Sequence, residues 1–251
     1  MDTVDRLNRE FSAQDFAENL PDSSVLERYR EVARNYARME NAVAVLSDLR
    51  ARVSYIYYGG FARMLGIGEA QKDDTIASIW EENLFRLVHP DDLAGKHLHE
   101  LCFFHFVRQL PPGKRGDYYL QGRLRMKTVT NGYVPVLHRM FYIPISSSGT
   151  LWLALCLYSP LVFDMSAGAF IVHSVTGRTE ELGERHGAMI LSAREKQILS
   201  LIDKGLPSKE IADRLSISVH TVSRHRQEIL NKLGTRNSIE ACRVARELHL
   251  L

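Results

Sequence analysis

At 251 residues, with 45% apolar and 25% charged side chains, the chain is long enough for two ordinary globular domains, and neither a fibrous nor a largely disordered protein fits that composition. Its formal net charge is only +2, but residues 189–251 hold 11 Lys or Arg against 7 Asp or Glu, a net of +4, leaving −2 for residues 1–188. A small cationic module beside a mildly acidic one is the distribution expected of a phosphate-facing domain joined to a domain that does not touch nucleic acid.

The amino terminus MDTVDRLNREFSAQ has no apolar run behind a basic start, and the longest membrane candidate, Leu151–Val162, is too short for a bilayer and is broken by Pro160. A cytoplasmic protein without a membrane partner is expected. Cys102, Cys156 and Cys242 are odd in number, widely spaced and set among apolar neighbours, which predicts buried thiols rather than disulfides or a metal cluster. Residues 1–24 read as a polar segment or a short docking helix. Val25, Tyr29, Val32, Tyr36 and Met39 then recur on one helical face, which has two readings: a second dimer surface, or a cap over a sheet. Residues 1–39 are assigned to this N-terminal helical segment.

Ala42–Ser47 and the alternating Val53, Tyr55 and Tyr57 predict two strands joined in a hairpin around Asp48–Ala51. A short helix over Phe61–Gly66 closes on its glycine. A longer one begins at Asp91, with Leu98, Leu101, Cys102 and Phe106 set to face a sheet, and stops at PPGKRG, Pro111–Gly116. Beyond that stop the period changes to two: Tyr118, Leu120, Gly122, Leu124 and Met126 alternate with Gln121, Arg123, Arg125 and Lys127. Val134–Ile145 predicts a further strand and Ser146–Thr150 a turn. Leu151–Tyr158 is apolar on both faces and belongs at the centre of a sheet.

Two strands, a helical middle and three more strands make an α+β layer. The order resembles the PAS sensor fold, as do SDLRARVSYIYYGGFARMLG at Ser47–Gly66 and LVHPDDL at Leu87–Leu93. The resemblance covers 40–160 and implies a PAS-like five-stranded antiparallel sheet with helices over 40–165. Such a sheet encloses a small molecule, binds a cofactor or mediates protein contacts, and the sequence names no cofactor. A sensor cavity, if present, has Tyr55, Tyr57, Phe104, Met126, Met140, Trp152 and Cys156 as candidate lining, although these also suit an ordinary core. His89, Asp91 and Asp92, with His97 and His99 nearby, tempt a metal reading. Pro90 in a first helical turn and two aspartates at a helix N-terminus account for them better. His105 and His138 sit in no recognisable haem-ligand pattern.

Phe170, Val172 and Val175 allow one more short element, and residues 166–188 are assigned to a linker, most exposed over Gly177–Gly187. Ser192 and Glu195 then stand in capping-box spacing ahead of a helix with Ile198, Leu199 and Ile202 on its inner stripe, ended by Gly205. Ser208 begins a second helix with Ile211, Ala212 and Leu215 inward, and Ser216–Ser218 makes a turn. A third helix runs from Val219 to Leu233. Val222, His225, Ile229 and Leu233 share its inner stripe, opposite His220, Arg224, Gln227 and Asn231, with Ser223 beside them. Such a polar face suits the major groove, Arg224 and Gln227 as base readers and Lys209, Thr221 and Arg226 as backbone contacts, or is simply a solvated face.

Leu191, Arg194-Glu195, Ile202 with Gly205, Lys209-Glu210-Ile211-Ala212, Leu215 with Ile217-Ser218, Thr221-Val222, His225 and Lys232-Leu233 together resemble the LuxR-type helix-turn-helix domain. The resemblance spans about 60 residues within 189–251 and implies an all-α four-helix unit, its fourth helix fitting Ile239, Ala241, Cys242, Ala245 and Leu248 and often serving dimerisation. Ser223 replaces a common lysine, Gln227 stands at a frequent basic contact, and Ser208 replaces an asparagine; Arg224 and Arg226 are the expected compensation. The combined expectation is a bacterial transcription regulator, a homodimer on double-stranded DNA, with a small molecule or protein partner at the PAS-like domain. The competing expectation is a protein-interaction adaptor with weak or lost DNA binding. An enzymatic sensor domain finds little support, since no nucleophile elbow, phosphate-cradling glycine loop or metal-spaced histidine set occurs.

Overall fold

The computed structural model describes residues 3–14, 16, 23–130, 132–145, 148–165, 168–182, 190–247 and 250–251. The chain divides into two compact units. Glu10–Leu93 with Val107–Glu181 form a sheet unit, and Met1–Arg9, Ala94–Phe106 and Leu182–Leu251 form a helical unit.

The sheet unit contains β1 (Val43–Asp48), β2 (Val53–Tyr58), β3 (Asp73–Ile76), β4 (Tyr118–Lys127), β5 (Tyr133–Pro144), β6 (Leu151–Pro160), β7 (Ala169–His173) and β8 (Thr179–Glu181). All pair antiparallel in the order β3-β2-β1-β6-β5-β4-β7-β8. The sheet therefore has eight strands where five were expected. The five expected strands are its middle, while β3 extends one edge and β7 and β8 the other. β3 and β8 are short and mostly exposed, so they carry no apolar alternation to mark them. Residues 169–181, expected in the linker, thus belong to the sheet, β7 pairing directly with β4. Of the rest of that linker, 166, 167 and 183–188 lie outside the described residues, as do Ser146 and Ser147 of the expected turn, Met189 and Leu248.

Local chemistry fixes the strand connections. Asp48 Oδ1 accepts from the backbone N–H groups of Arg50 and Ala51 at 2.9 and 2.8 Å, turning the chain so that Asp48 pairs with Val53. β6 is buried along nearly its whole length between β1 and β5, as its apolar run requires. A register shift at Ile143/Pro144 interrupts its pairing with β5.

One face of the sheet is covered by α2 (Ser23–Met39). Ala33 and Ala37 sit in a core with Ala44, Leu46, Tyr57, Leu155 and Leu157, and Val25, Tyr29 and Tyr36 pack against it. The apolar stripe of α2 thus packs on the sheet, as the cap reading requires; only Met39 of the predicted stripe is exposed. Small residues let the elements approach. A Cβ on Gly59 would lie 2.2 Å from Ala37 O and 2.5 Å from Ala42 O, so this corner accepts only glycine without a backbone shift.

Beyond α3 (Phe61–Leu65), closed by Gly66 at φ 71°, and α4 (Glu82–Phe85), the long helix α5 (Pro90–Gln109) begins as its HPDD motif predicts. His89 caps it by accepting from Asp91 N at 3.2 Å. Asp92 accepts from Arg125 N, Nε and Nη2 at 2.8, 3.0 and 2.6 Å. Burial would raise the Asp92 pKa, but these bonds from Arg125 outweigh it and hold the carboxyl below its ordinary range. The motif is thus a helix cap and a strand tie. Ala94–Phe106 of α5 and the amino-terminal Met1–Arg9 group with the helical unit.

Within the helical unit, part of α1 (Thr3–Ser12) is tied to the carboxy-terminal helices through Thr3 Oγ1, which donates to Lys232 O at 3.4 Å. Lys96 and Glu100 pair at 2.7 Å on α5, both buried. Cys102, Cys156 and Cys242 are all buried, and burial pushes the Cys102 thiol up to about 12.

Candidate nucleic-acid interface

Four helices close the chain: α6 (Ala193–Asp203), α7 (Ser208–Leu215), α8 (Val219–Leu233) and α9 (Ser238–Glu247). Ser192 and Glu195 complete the expected capping box. Glu195 N donates to Ser192 Oγ at 3.3 Å, and Ser192 N donates to Glu195 Oε2 at 2.7 Å. Glu195 is almost wholly buried, and both its oxygens accept from Lys232 Nζ at 2.7 Å, joining the start of α6 to the end of α8. Burial alone would raise its pKa; the bonds from Lys232 and Ser192 prevail and depress it. Arg194 Nη2 donates to Leu215 O at 3.0 Å at the end of α7. Ser216, left-handed at φ 52°, breaks that helix, and Ser218 Oγ caps α8 by accepting from Thr221 N at 3.0 Å.

The inner stripe of α8 is Val222, Ile229 and Leu233, fully buried, with His225 half-buried beside them. Ile198, Leu199, Ile211, Ala212, Ala241, Val244 and Ala245 complete the core. Ile239, expected to fit the fourth helix, is 85% exposed on α9. On the outward side of α8, His220, Ser223, Arg224 and Gln227 are exposed and Asn231 is half-buried; Lys209 is exposed in the first turn of α7. Steps of three and four align these α8 positions on one face. Arg224 Nε donates to Glu228 Oε1 at 2.9 Å, and Gln227 Nε2 donates to Asn231 Oδ1 at 3.0 Å.

Three polar residues beside this face have partners within the domain. Arg226 is part-buried and donates through Nη1 to Ser208 Oγ at 3.1 Å and through Nη2 to Ser238 Oγ at 3.0 Å. It ties α7 and α9 to α8. Thr221 shares its hydroxyl with Ser218 Oγ at 2.9 Å, a capping duty. Ser208 is the first helical residue of α7 and acceptor for Arg226, while Pro207 holds the N-cap position without a side-chain cap. Glu228, absent from the sequence-based list, was detectable from its four-residue spacing after Arg224. Glu195, His225 and Glu228 bring ligand atoms within 4.8 Å of one another, but the Lys232 ammonium already holds both Glu195 oxygens against any cation.

Residues 189–245 match the family described as "Bacterial regulatory proteins, luxR family". Those residues form a LuxR-type helix-turn-helix domain. The chain is 47% identical over 62 residues to the oxygen regulatory protein NreC of Staphylococcus aureus strains JH9 and USA300, a match covering 25% of this chain and 29% of each relative. This chain therefore spans under a third of the length of those relatives. Among solved structures, a phage VqmA–DPO complex aligns at TM-score 0.29 and 15% identity over 89% of both chains. A Vibrio cholerae VqmA–ligand–DNA complex gives 0.30 and 14% over 92% of this chain and 90% of that one. Escherichia coli SdiA gives 0.23 and 16% over 98% and 96%. Superpositions this loose do not establish a shared fold.

The seven residues proposed to line a cavity are distributed over several elements. Phe104 belongs to the helical unit and the other six residues to the sheet unit. Of these, Tyr55 and Tyr57 pair across from Leu46 and Ala44 on the face under α2, in whose core Trp152 also sits. Met126, Met140 and Cys156 alternate with that set and point from the opposite face. The sheet unit instead carries an open depression of about 640 Å³ lined by Arg123, Pro135, Leu161, Val162, Phe163, Asp164 and Met165. None of the seven candidates lines it.

Proposed function

We propose that the protein is a sequence-specific DNA-binding transcription regulator, active as a homodimer, in which the sheet unit is a PAS-like sensory or dimerisation domain. The exposed polar face of α8 on a LuxR-type scaffold carries the reading. Arg224 and Gln227 read base edges from the major groove, with His220, Ser223 and Asn231 beside them, while Lys209 and the capped start of α8 at Thr221 meet phosphate. The central strands of the sheet, with the hairpin, the short helix after it and the capped α5, support the PAS-like assignment. A small molecule or protein partner at that domain is the proposed input. The exposed Ile239 on α9 supports dimerisation through that helix.

One observation favours a second reading, an interaction adaptor with weak DNA affinity: with Arg226 engaged by Ser208 and Ser238, Arg224 is the only exposed Lys or Arg among the described residues of α8 before Lys232. Titration of an operator obtained by selection separates the two. Arg224→Ala is expected to lose about 1–3 kcal/mol of discrimination at its base pair. Lys209→Ala is expected to weaken binding to all sequences and to reduce the log–log salt slope by about 0.9. Identical curves for wild type and both variants would remove these residues from the interface.

A further inference from the structure

Resting on the reading of α8 as the DNA-reading helix, we infer that Glu228 is a positioning residue that presents the guanidinium of Arg224 to a guanine in the major groove. The Arg224 side chain is 75% exposed, yet its Nε is held by Glu228 Oε1 at 2.9 Å. A guanidinium is a planar fork of five N–H donors. Engaging Nε leaves Nη1 and Nη2, the pair that matches guanine O6 and N7 in bidentate contact. Fixing Nε removes side-chain freedom that would otherwise be lost on binding, so the fork is preorganised toward that base edge.

The pair is poorly suited to a purely stabilising role. An exposed ion pair contributes little, and arginine preceding glutamate by four residues is the less favourable order on a helix. Its effect lies in direction. The other carboxylate oxygen of Glu228 lies 3.5 Å from His225 Nδ1, on the half-buried side of the helix, without a hydrogen bond between them, so the bond from Arg224 Nε is the one that holds the carboxylate. Its charge meets the Arg224 guanidinium at Nε. A glutamate reading cytosine directly would instead need its oxygens outward.

The test uses full-length protein and an operator selected from random duplex DNA, with each base pair of the half-site substituted in turn and with 7-deazaguanine, which lacks the N7 acceptor, at the guanine. Wild type is expected to prefer guanine by roughly 5- to 150-fold at one position, the range of a bidentate contact. Glu228→Ala loses most of that preference at the same base pair as Arg224→Ala, and the double variant is no worse than either. Glu228→Gln, which keeps an acceptor oxygen, retains it, while binding to scrambled duplex and Tm stay at wild-type values. Glu228→Ala keeping the guanine preference that Arg224→Ala loses overturns the positioning role and leaves the DNA-reading assignment standing. So does a uniform loss on all duplexes accompanied by a lower Tm, or a change confined to a cytosine that Arg224→Ala does not affect. Arg224→Ala with every base preference intact overturns both.

Discussion

Arg226 and Arg224 are two residues apart on one helix, and their neighbours give them opposite duties. Arg226 spans from Ser208 to Ser238, so Arg226→Ala should destabilise the helical unit by about 1–3 kcal/mol, read in urea or thermal unfolding, and lower DNA affinity only as far as folding is lost. The partners lie 18 and 12 residues away, so no local spacing rule could assign them. The capping box of Ser192 and Glu195, by contrast, was legible because a cap is a three-residue relation. What the spacing could not supply was Lys232, 37 residues on, which turns that cap into a buried ion pair. With its folded pKa depressed below the ordinary 4.5, Glu195 contributes stability that is present above that value and lost as pH falls through the folded pKa. Glu195→Gln should cost about 1–3 kcal/mol near neutral pH, moderated by the part-exposed Lys232, and should flatten the acid limb of the stability profile. An unaltered acid limb would show that Glu195 is not the group lost there.

Among the elements, α2 illustrates what periodicity reveals and what it leaves open. Five apolar positions on one face predict burial, but the pattern is the same whether a sheet or a second copy does the covering; the packing of Ala33 and Ala37 among β1, β2 and β6 residues is what shows the sheet beneath them. β7 falls on the short element that Phe170 and Val172 allowed, whereas β8 escaped prediction because three residues, all exposed, are too short for a period of two to stand out. The close approach at the α2–β1 corner makes Gly59→Ala a sharp test: the added methyl should cost about 1–3 kcal/mol, measured by unfolding. Wild-type stability would mean that the corner is looser than its 2.2 Å clearance. On α9, Ile239→Glu should shift sedimentation toward monomer while leaving helix content unchanged, because the side chain is exposed in the single chain. A dimer unaffected by that change would place the subunit contact elsewhere.

For the whole molecule, the uneven charge pointed to one phosphate-facing module, and the match of residues 189–245 falls on it. The sheet half was legible as an α+β layer but not in its extent: three peripheral strands and the grouping of Ala94–Phe106 with the helical unit depend on contacts remote in sequence. Its candidate cavity residues illustrate a related point, since composition marks large apolar residues without saying which face of a strand each takes. The central claim is that α8 confers sequence-specific duplex binding, and selection of bound fragments from random duplex DNA by purified full-length protein tests it most directly. The account predicts enrichment of a two-fold site whose half-sites lie about 34–36 Å, one helical turn, apart, with Arg224→Ala broadening the enriched sequence. A folded dimer that enriches no sequence at all would contradict it.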